Sequence, residues 1–361
     1  WIDWARLMLL VFGLAALLWG IGHLMGTPSS ARWSMIGLLY VGVVSLHLLL
    51  MAGHPLRMAT GESAAFWLIL GGFGLLIYGY RMILGRLRGQ AEAKEAAHRP
   101  APKQGSFSET ELNRYARHIV LRELGGPGQK ALKEARVLVI GAGGLGAPVL
   151  QYLAASGVGT IGVIDDDVVD NANLQRQVIH RDQDIGKPKV FSAEAAMIGQ
   201  NPYVVVKPYN RRLTQDIAAD LFAEYDLVID GCDNFETRYH VNAACVEAKI
   251  PLISGALTQW EGQVSVFDPA MDAPCYQCVF PQAPAPELAP NCSVAGVIGP
   301  LPGVIGSMMA VEAIKVIVNT GAVLRGEMVI YDALYAQTRV IAVKPDKACK
   351  VCGGKGLLLA G

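Results

Sequence analysis

Five charged residues and a glycine run in the middle of the chain have the types and order needed to hold a phosphorylated nucleotide. Val137 to Gly146 reads Val-Leu-Val-Ile-Gly-Ala-Gly-Gly-Leu-Gly. Gly141, Gly143 and Gly146 match G-x-G-x-x-G, with Gly144 as an additional glycine. Such glycines permit a tight turn, close backbone approach to phosphate and close helix–strand packing. Phosphate would rest on free N–H groups at the start of the following helix. The next apolar run, Thr160–Ile164, ends in Asp165-Asp166-Asp167, and an acid about 20 residues beyond the glycines is where a ribose is held. Asn171-Ala-Asn173-Leu-Gln-Arg176-Gln177, Gly186-Lys-Pro-Lys189 and Asp230-Gly-Cys-Asp233-Asn234 follow. Asp165, Asp167 and Asp233 supply acids for ribose and Mg²⁺; Arg176 and Lys189 supply cations for phosphates. The glycine loop and Asp165 alone would fit an NAD-dependent oxidoreductase. Two cations and a metal-binding acid beside the phosphates favour a nucleoside triphosphate instead.

The elements that must position these groups alternate strand and helix. Strands are predicted at Val137–Ile140, Thr160–Ile164, Tyr203–Lys207, Asp226–Asp230 and Pro251–Ser254. Helices are predicted at Leu145–Ser156, Lys189–Gln200, Thr214–Phe222 and from Asn234, a natural N-cap, to Lys249. A further helix over Glu109–Leu124 would place Leu112, Tyr115, Ile119 and Val120 on one side, with Arg114, Arg117 and Arg122 as a solvated basic face. This pattern is α/β: a Rossmann-like, doubly wound, mostly parallel sheet, with ligands beyond the carboxyl ends of its strands. From Gly262 the pattern turns antiparallel, at Gln263–Asp268, Glu327–Asp332 and Gln337–Val343, around an apolar helix at Pro302–Asn319.

The antiparallel part carries Cys275-Tyr-Gln-Cys278 and Cys349-Lys-Val-Cys352. Two C-x-x-C pairs give the four thiolates of a closed structural Zn²⁺ site, with no open position for catalysis. Of the remaining cysteines, Cys245 falls on an apolar helix face and Cys232 at a strand end, both suited to packing. Cys292 lies in a Pro-rich irregular stretch, where an exposed thiol could be a nucleophile, a sulfur carrier or a bystander.

Residues 1–88 differ sharply from the rest. Leu7–Met25, Trp33–Met51 and Ala64–Leu84 are apolar runs, each long enough to cross a bilayer as a helix. Trp4, Trp19, Trp33, Tyr78 and Tyr80 lie near their ends, as interfacial aromatics do. Arg81, Arg86 and Arg88 close the third run, which places the C-terminal side in the cytoplasm and the N-terminus outside. His23 and His47 fit best as neutral side chains bonded to a neighbouring helix. The expectation is a three-span membrane anchor (1–88), a partly helical and then Pro-broken linker (89–108) and a cytoplasmic domain (109–361), in a membrane such as the bacterial inner membrane. A formal net charge of zero gives no electrostatic case for nucleic acid.

From Glu109 to Gly353 the chain resembles the ubiquitin-activating-like adenylyltransferases, the MoeB/ThiF/HesA family. The resemblance is carried by Arg-Tyr-Ala-Arg117-His, the glycine loop, Asp165-Asp-Asp167, Asn173-Leu-Gln-Arg176-Gln, Gly-Lys-Pro-Lys189-Val, Asp230-Gly-Cys-Asp233-Asn234, Glu261-Gly-Gln-Val, both C-x-x-C pairs and Met308 to Lys315. It implies ATP-dependent adenylation of the C-terminal carboxylate of a small ubiquitin-like sulfur carrier ending in Gly-Gly. The molybdopterin-synthase carrier comes first; the thiamine carrier is a close alternative. The resemblance further implies that Asp165 holds the ribose with Asp167 and Asn173 nearby, Arg176 and Lys189 contact phosphates, and Asp233 positions Mg²⁺. Arg117 would reach the ATP of a second subunit, which implies a homodimer. Cys292 would match a loop cysteine active in acyl or sulfur transfer in ThiF-like members. No rhodanese-like stretch follows Cys352, so sulfur is expected from a separate protein. A scaffold that has lost catalysis is the remaining alternative, opposed by a competent residue at every proposed position.

Overall fold

The computed structural model describes residues 2–61, 63–97, 107–284 and 296–353. Cys292 lies outside them. The chain divides into two compact units, Trp1–Arg99 and Pro100–Gly361.

The first unit is helical: α1 (Ile2–Leu24), α2 (Ser29–Leu49), the short α3 (Pro55–Ala59) and α4 (Ala64–Ala97). Several of its polar groups bond within the unit. The His47 ring is 3% exposed and its Nε2 lies 3.0 Å from the Thr60 hydroxyl. The buried indole of Trp67 donates to the Thr60 carbonyl at 3.0 Å, and Tyr40 donates its hydroxyl proton to the Trp67 carbonyl at 2.7 Å. His23 Nδ1 meets an Arg32 guanidinium nitrogen at 3.3 Å. The outer faces carry Leu38, Leu48, Phe73, Leu75 and Leu76, each exposed within the chain. By length and composition, Ser29–Leu49 and Ala64–Leu87 could each cross a membrane, and the described apolar part of α1 is Leu10–Leu24. The third apolar helix does not stop at Leu84. It continues as one helix of 34 residues to Ala97, so the first half of the expected linker is an extension of it.

The second unit opens with α5 (Glu109–Arg114), α6 (Ala116–Ile119) and α7 (Gly125–Glu134). The single helix expected over Glu109–Leu124 is broken at Tyr115. That ring is 3% exposed and its hydroxyl accepts from Asn201 Nδ2 at 2.8 Å. This anchor outweighs helix continuation and leaves Leu112 at 46% and Val120 at 75% exposure. Then come β1 (Arg136–Ile140), α8 (Gly146–Ser156), β2 (Thr160–Ile164), α9 (Lys189–Gln200), β3 (Val205–Tyr209), α10 (Gln215–Phe222), β4 (Leu227–Asp230) and α11 (Phe235–Ala248). The unit closes with β5 (Leu252–Leu257), β6 (Glu261–Phe267), α12 (Tyr276–Val279), α13 (Pro300–Val318), β7 (Glu327–Asp332) and β8 (Gln337–Ala342).

One sheet runs β3-β2-β1-β4-β5-β6-β7-β8. Pairings from β3 to β5 are parallel; those from β5 to β8 are antiparallel. The mixed sheet expected from the sequence is therefore present. Val137–Ile140 is buried on both faces, as a central parallel strand must be. β3 starts two residues later than its apolar pattern suggests, because pairing of Val205 with Thr160 sets its register. α13 is apolar enough to span a membrane by composition, yet it packs on α8, β5 and β6. Its Glu312 is buried and accepts the Leu324 N–H at 3.0 Å.

Candidate active site

Chain direction around β1 sets the location. β2 lies on one side of β1 and β4 on the other, so the loops after β1 and β4 diverge over the carboxyl end of the sheet, where a crevice opens. Gly231 donates its N–H to the Ile140 carbonyl at 2.9 Å, which locks the two loops together. Gly141 sits at φ +91 and a Cβ there would lie 3.2 Å from the Gly231 carbonyl oxygen, so positive φ and close approach both demand glycine. A Cβ on Gly146 would collide with the Gly141 carbonyl, so the turn into α8 closes only with glycine there.

A cavity of about 1360 Å³ opens above these loops, larger than the roughly 300–1,000 Å³ common for small-ligand pockets. Gly141, Gly143, Gly144, Asp165, Asp167, Arg176, Lys189, Asp233 and Asn234 all line it. Gly146 lies behind the turn and Asn173 behind Arg176, whose Nη2 donates to Asn173 Oδ1 at 2.8 Å. Arg117 is exposed on α6 and is not among the lining residues. Asn234 has a structural task as well: its Oδ1 accepts the Thr237 N–H at 2.8 Å and caps α11.

Asp165, Asp167 and Lys189 form one network. Asp165 accepts the N–H of Ala142 at 2.8 Å and that of Asp167 at 2.8 Å, tying the end of β2 to the glycine loop. Burial pushes its carboxyl above the usual carboxylate range, against the opposing pull of Lys189. Lys189 is 4% exposed in its side chain and donates to Asp167 Oδ2 at 2.7 Å, whereas Asp167 is 68% exposed. The ammonium is thus fixed from inside while its partner stays reachable. Asp165, Asp166 and Asp167 bring their carboxylates within 4.8 Å of one another. Oxygen-only donors of this kind suit a hard cation such as Mg²⁺; Asp233 lines the same cavity outside this cluster.

Behind the β4 loop, Arg238 is buried and donates to Ser254 Oγ at 3.0 Å and to the Cys232 carbonyl at 2.5 Å, and it pairs with Asp230 at 3.4 Å. Cys232 lines the cavity, but burial and the Asp230 charge push its thiol well above the ordinary cysteine range. It is a packing residue, as is Cys245 in the core.

Three further polar residues on the cavity wall had no part in the sequence reading: Arg211 and Arg212 follow β3, and Gln259 lies between β5 and β6. Gln177, quoted within the Arg176 motif without a role, also lines the wall. The arginine pair stands at a strand's carboxyl end, which is a signal available in the sequence. Gln259 reaches the site only through the antiparallel turn.

At the far end, Cys275, Cys278, Cys349 and Cys352 converge with all four sulfurs within 4.8 Å. Sγ–Sγ separations of 3.7, 3.6 and 3.4 Å are too long for disulfide bonds and match the edges of a tetrahedron of thiolates about 2.3 Å from a central ion. Asn242 supports the cluster, donating to Cys275 Sγ at 3.8 Å and accepting the Tyr276 N–H at 2.9 Å.

Known proteins match the second unit. Residues 115–351 fit the model of the ThiF family. A sulfur carrier protein adenylyltransferase of Thermus thermophilus is 47% identical over 251 residues, 68% of this chain and 93% of that protein. A molybdopterin-synthase adenylyltransferase of Salmonella typhimurium is 46% identical over 247 residues, 68% of this chain and 98% of that protein. Among solved structures, E. coli MccB with ATP shares the fold with a TM-score of 0.58 and 25% identity, over 68% of this chain and 76% of that one. With the family match over residues 115–351 and relatives at 46–47% identity along nearly their whole length, the chain belongs to the ThiF family.

Proposed function

We propose that the chain adenylates the C-terminal glycine carboxylate of a small ubiquitin-like sulfur-carrier protein, releasing pyrophosphate. The observation that supports this most is the joining, in one cavity, of the glycine loop, Arg176, Lys189 and Asp233 in a chain so similar to sulfur-carrier adenylyltransferases. A carboxylate oxygen attacks the α-phosphorus of ATP, the bond to pyrophosphate breaks, and the carrier leaves as an acyl-adenylate open to sulfur. The substrate brings its own nucleophile, so the chain's work is alignment and charge neutralisation. The glycine-loop N–H groups and the Lys189 ammonium face the phosphates, Arg176 is held to the same task by Asn173, and Asp165 takes the ribose hydroxyls. Mg²⁺ at Asp233 would neutralise charge on the departing phosphates. Zn²⁺ in the four-cysteine cluster would clip residues 349–352 to residues 275–278. The molybdopterin-type carrier is the preferred partner and the thiamine-type carrier the alternative. Incubation with ATP should add AMP to a molybdopterin-type carrier, read by mass spectrometry, and not to one lacking its last two glycines. An unmodified intact carrier would count against the assignment.

The exposed Arg117 is proposed to serve the site of a second copy in a homodimer. Arg117→Ala and Lys189→Ala should each be inactive alone. Mixed and allowed to exchange subunits, they should regain about a quarter of wild-type activity, since half the dimers then hold one intact site. No recovery despite demonstrated exchange would contradict an arginine acting in trans. Cys292 is proposed as a transfer residue used after adenylation, with sulfur from a separate donor protein.

The first unit is proposed as a multi-pass anchor of a bacterial inner-membrane type, with the second unit in the cytoplasm. Its outward leucines and phenylalanines suit hydrocarbon, and His47 is met by Thr60 as a polar side chain between lipid-embedded helices should be. The full chain should sediment with membranes and resist carbonate extraction; recovery in the soluble fraction would overturn the anchor.

A further inference from the structure

Behind the glycine loop stands a histidine with no part in the proposed chemistry. His180 is 6% exposed, falls between β2 and α9 and is not among the residues lining the cavity. Its Nε2 lies 2.9 Å from the carbonyl oxygen of Ala142. A carbonyl only accepts, so Nε2 carries a proton and donates it, whether the ring is neutral or charged. The other ring nitrogen, Nδ1, lies 3.0 Å from Ser192 Oγ. Ser192, near the start of α9, donates in turn to Asp184 at 2.8 Å. The ring is thus braced against α9.

The Ala142 carbonyl shares one peptide plane with the N–H of Gly143. In a trans peptide these two groups point opposite ways, and no cis bond occurs among the described residues. With the carbonyl turned inward to His180, the Gly143 N–H is turned outward. Gly143 lines the cavity, and among the described residues its N–H meets no acceptor. Ala142 is itself fully buried and gives its own N–H to Asp165. Glycine lets the plane that precedes it turn over at little steric cost. A turned plane would aim the Ala142 carbonyl oxygen at the phosphates and replace a hydrogen bond with repulsion.

We propose that His180 is a positioning residue, holding the Ala142–Gly143 peptide so that the Gly143 N–H faces the phosphates of the nucleotide. The inference rests on the ATP-binding part of the adenylyltransferase reading. The polarity of the loop is then set from behind, by a side chain that does not touch substrate.

The test compares His180→Gln with His180→Asn in the full chain. The Gln amide nitrogen reaches the place of Nε2 and can donate to Ala142; the Asn nitrogen stops near the place of Nδ1 and cannot. Affinities for radiolabelled ATP and radiolabelled adenosine are measured by equilibrium dialysis. His180→Asn should weaken ATP binding about tenfold, the size of one hydrogen bond to a charged group. Adenosine, which brings no phosphate, should bind it as it binds the wild type. His180→Gln should keep wild-type affinity for both. Undiminished ATP binding in His180→Asn, equal losses for ATP and adenosine, or a loss in His180→Gln as large as in His180→Asn would each overturn the inference. If His180→Asn does not fold, His180→Gln decides: retained ATP affinity supports the inference, and a loss of ATP affinity overturns it. A wild-type chain that does not bind ATP would instead refute the reading beneath it, and the inference falls with that reading.

Discussion

Lys189→Ala should lower pyrophosphate exchange by about 10²–10³-fold, as removal of one preorganised charge at a transition state does. The ammonium is enclosed by the fold yet reaches Asp167 at 2.7 Å on the cavity wall, so it needs no rearrangement as charge develops on the phosphates. The loss should fall mainly on the rate. Stability should fall modestly: Asp167, 68% exposed, regains water, but the buried Asp165 loses the charge that most favours its ionised form. A second effect follows at Asp165. Burial already raises its carboxyl, and Lys189 is the largest influence lowering it. Without Lys189 the carboxyl rises further, so a proton occupies it at higher pH. The ionised form accepts the ribose hydroxyls, so the acid limb of ATP affinity should move to higher pH in the variant. Exchange kinetics and a pH series of ATP binding check both parts. A variant with wild-type exchange would remove Lys189 from the mechanism.

Removing the proposed Zn²⁺ from the four-cysteine cluster should be the most damaging change to stability. Cys275 is fully buried, Cys352 is 2% exposed, and the pairs that meet are 74 residues apart in sequence. Little else among the described residues holds 344–353, since β8 ends at Ala342. Four thiols crowded at these distances without an ion lose the bonds that justify the arrangement, and structural zinc contributes folding free energy directly. A loss of several kcal/mol corresponds to a fall of about 10 °C or more in Tm for a domain of this size. Cys275→Ser should act similarly, since it removes one of the four thiolates of the cluster while leaving an acceptor for Asn242. Melting with and without chelator, alongside a zinc titration expecting one ion per chain, checks this. An unchanged Tm after complete metal removal would mean that the cluster is not a structural metal site.

Much of the second unit was legible because buried apolar runs bounded by polar turns mark parallel strands. Thr160–Ile164 and Lys189–Gln200 occupy the expected residues, and Asn234 caps its helix through its side chain. The cavity's composition was legible for a related reason: ligands gather beyond strand ends, and Asp165, Asp167, Asp233 and Asn234 follow strand ends directly. What sequence reading missed depends on long-range geometry. Tyr115 breaks a helix because of Asn201, 86 residues away. α7, with Gly125, Gly126, Pro127 and Gly128 in its first turn, looks like a loop, but Gln129 is fully buried and donates to the Ser156 carbonyl at 2.8 Å. Gln177 stood inside a recognised motif, yet nothing local tells a buried orphaned amide from a solvated one.

The most direct test of the account is radiolabelled pyrophosphate exchange into ATP by the full chain, with molybdopterin-type and thiamine-type carriers, each intact and without its last two glycines. Exchange with an intact carrier and none with its truncated form is the predicted result, with the molybdopterin-type carrier the better of the two. Absence of exchange with both intact carriers, from a chain that binds ATP, would contradict adenylation of a sulfur carrier as its function.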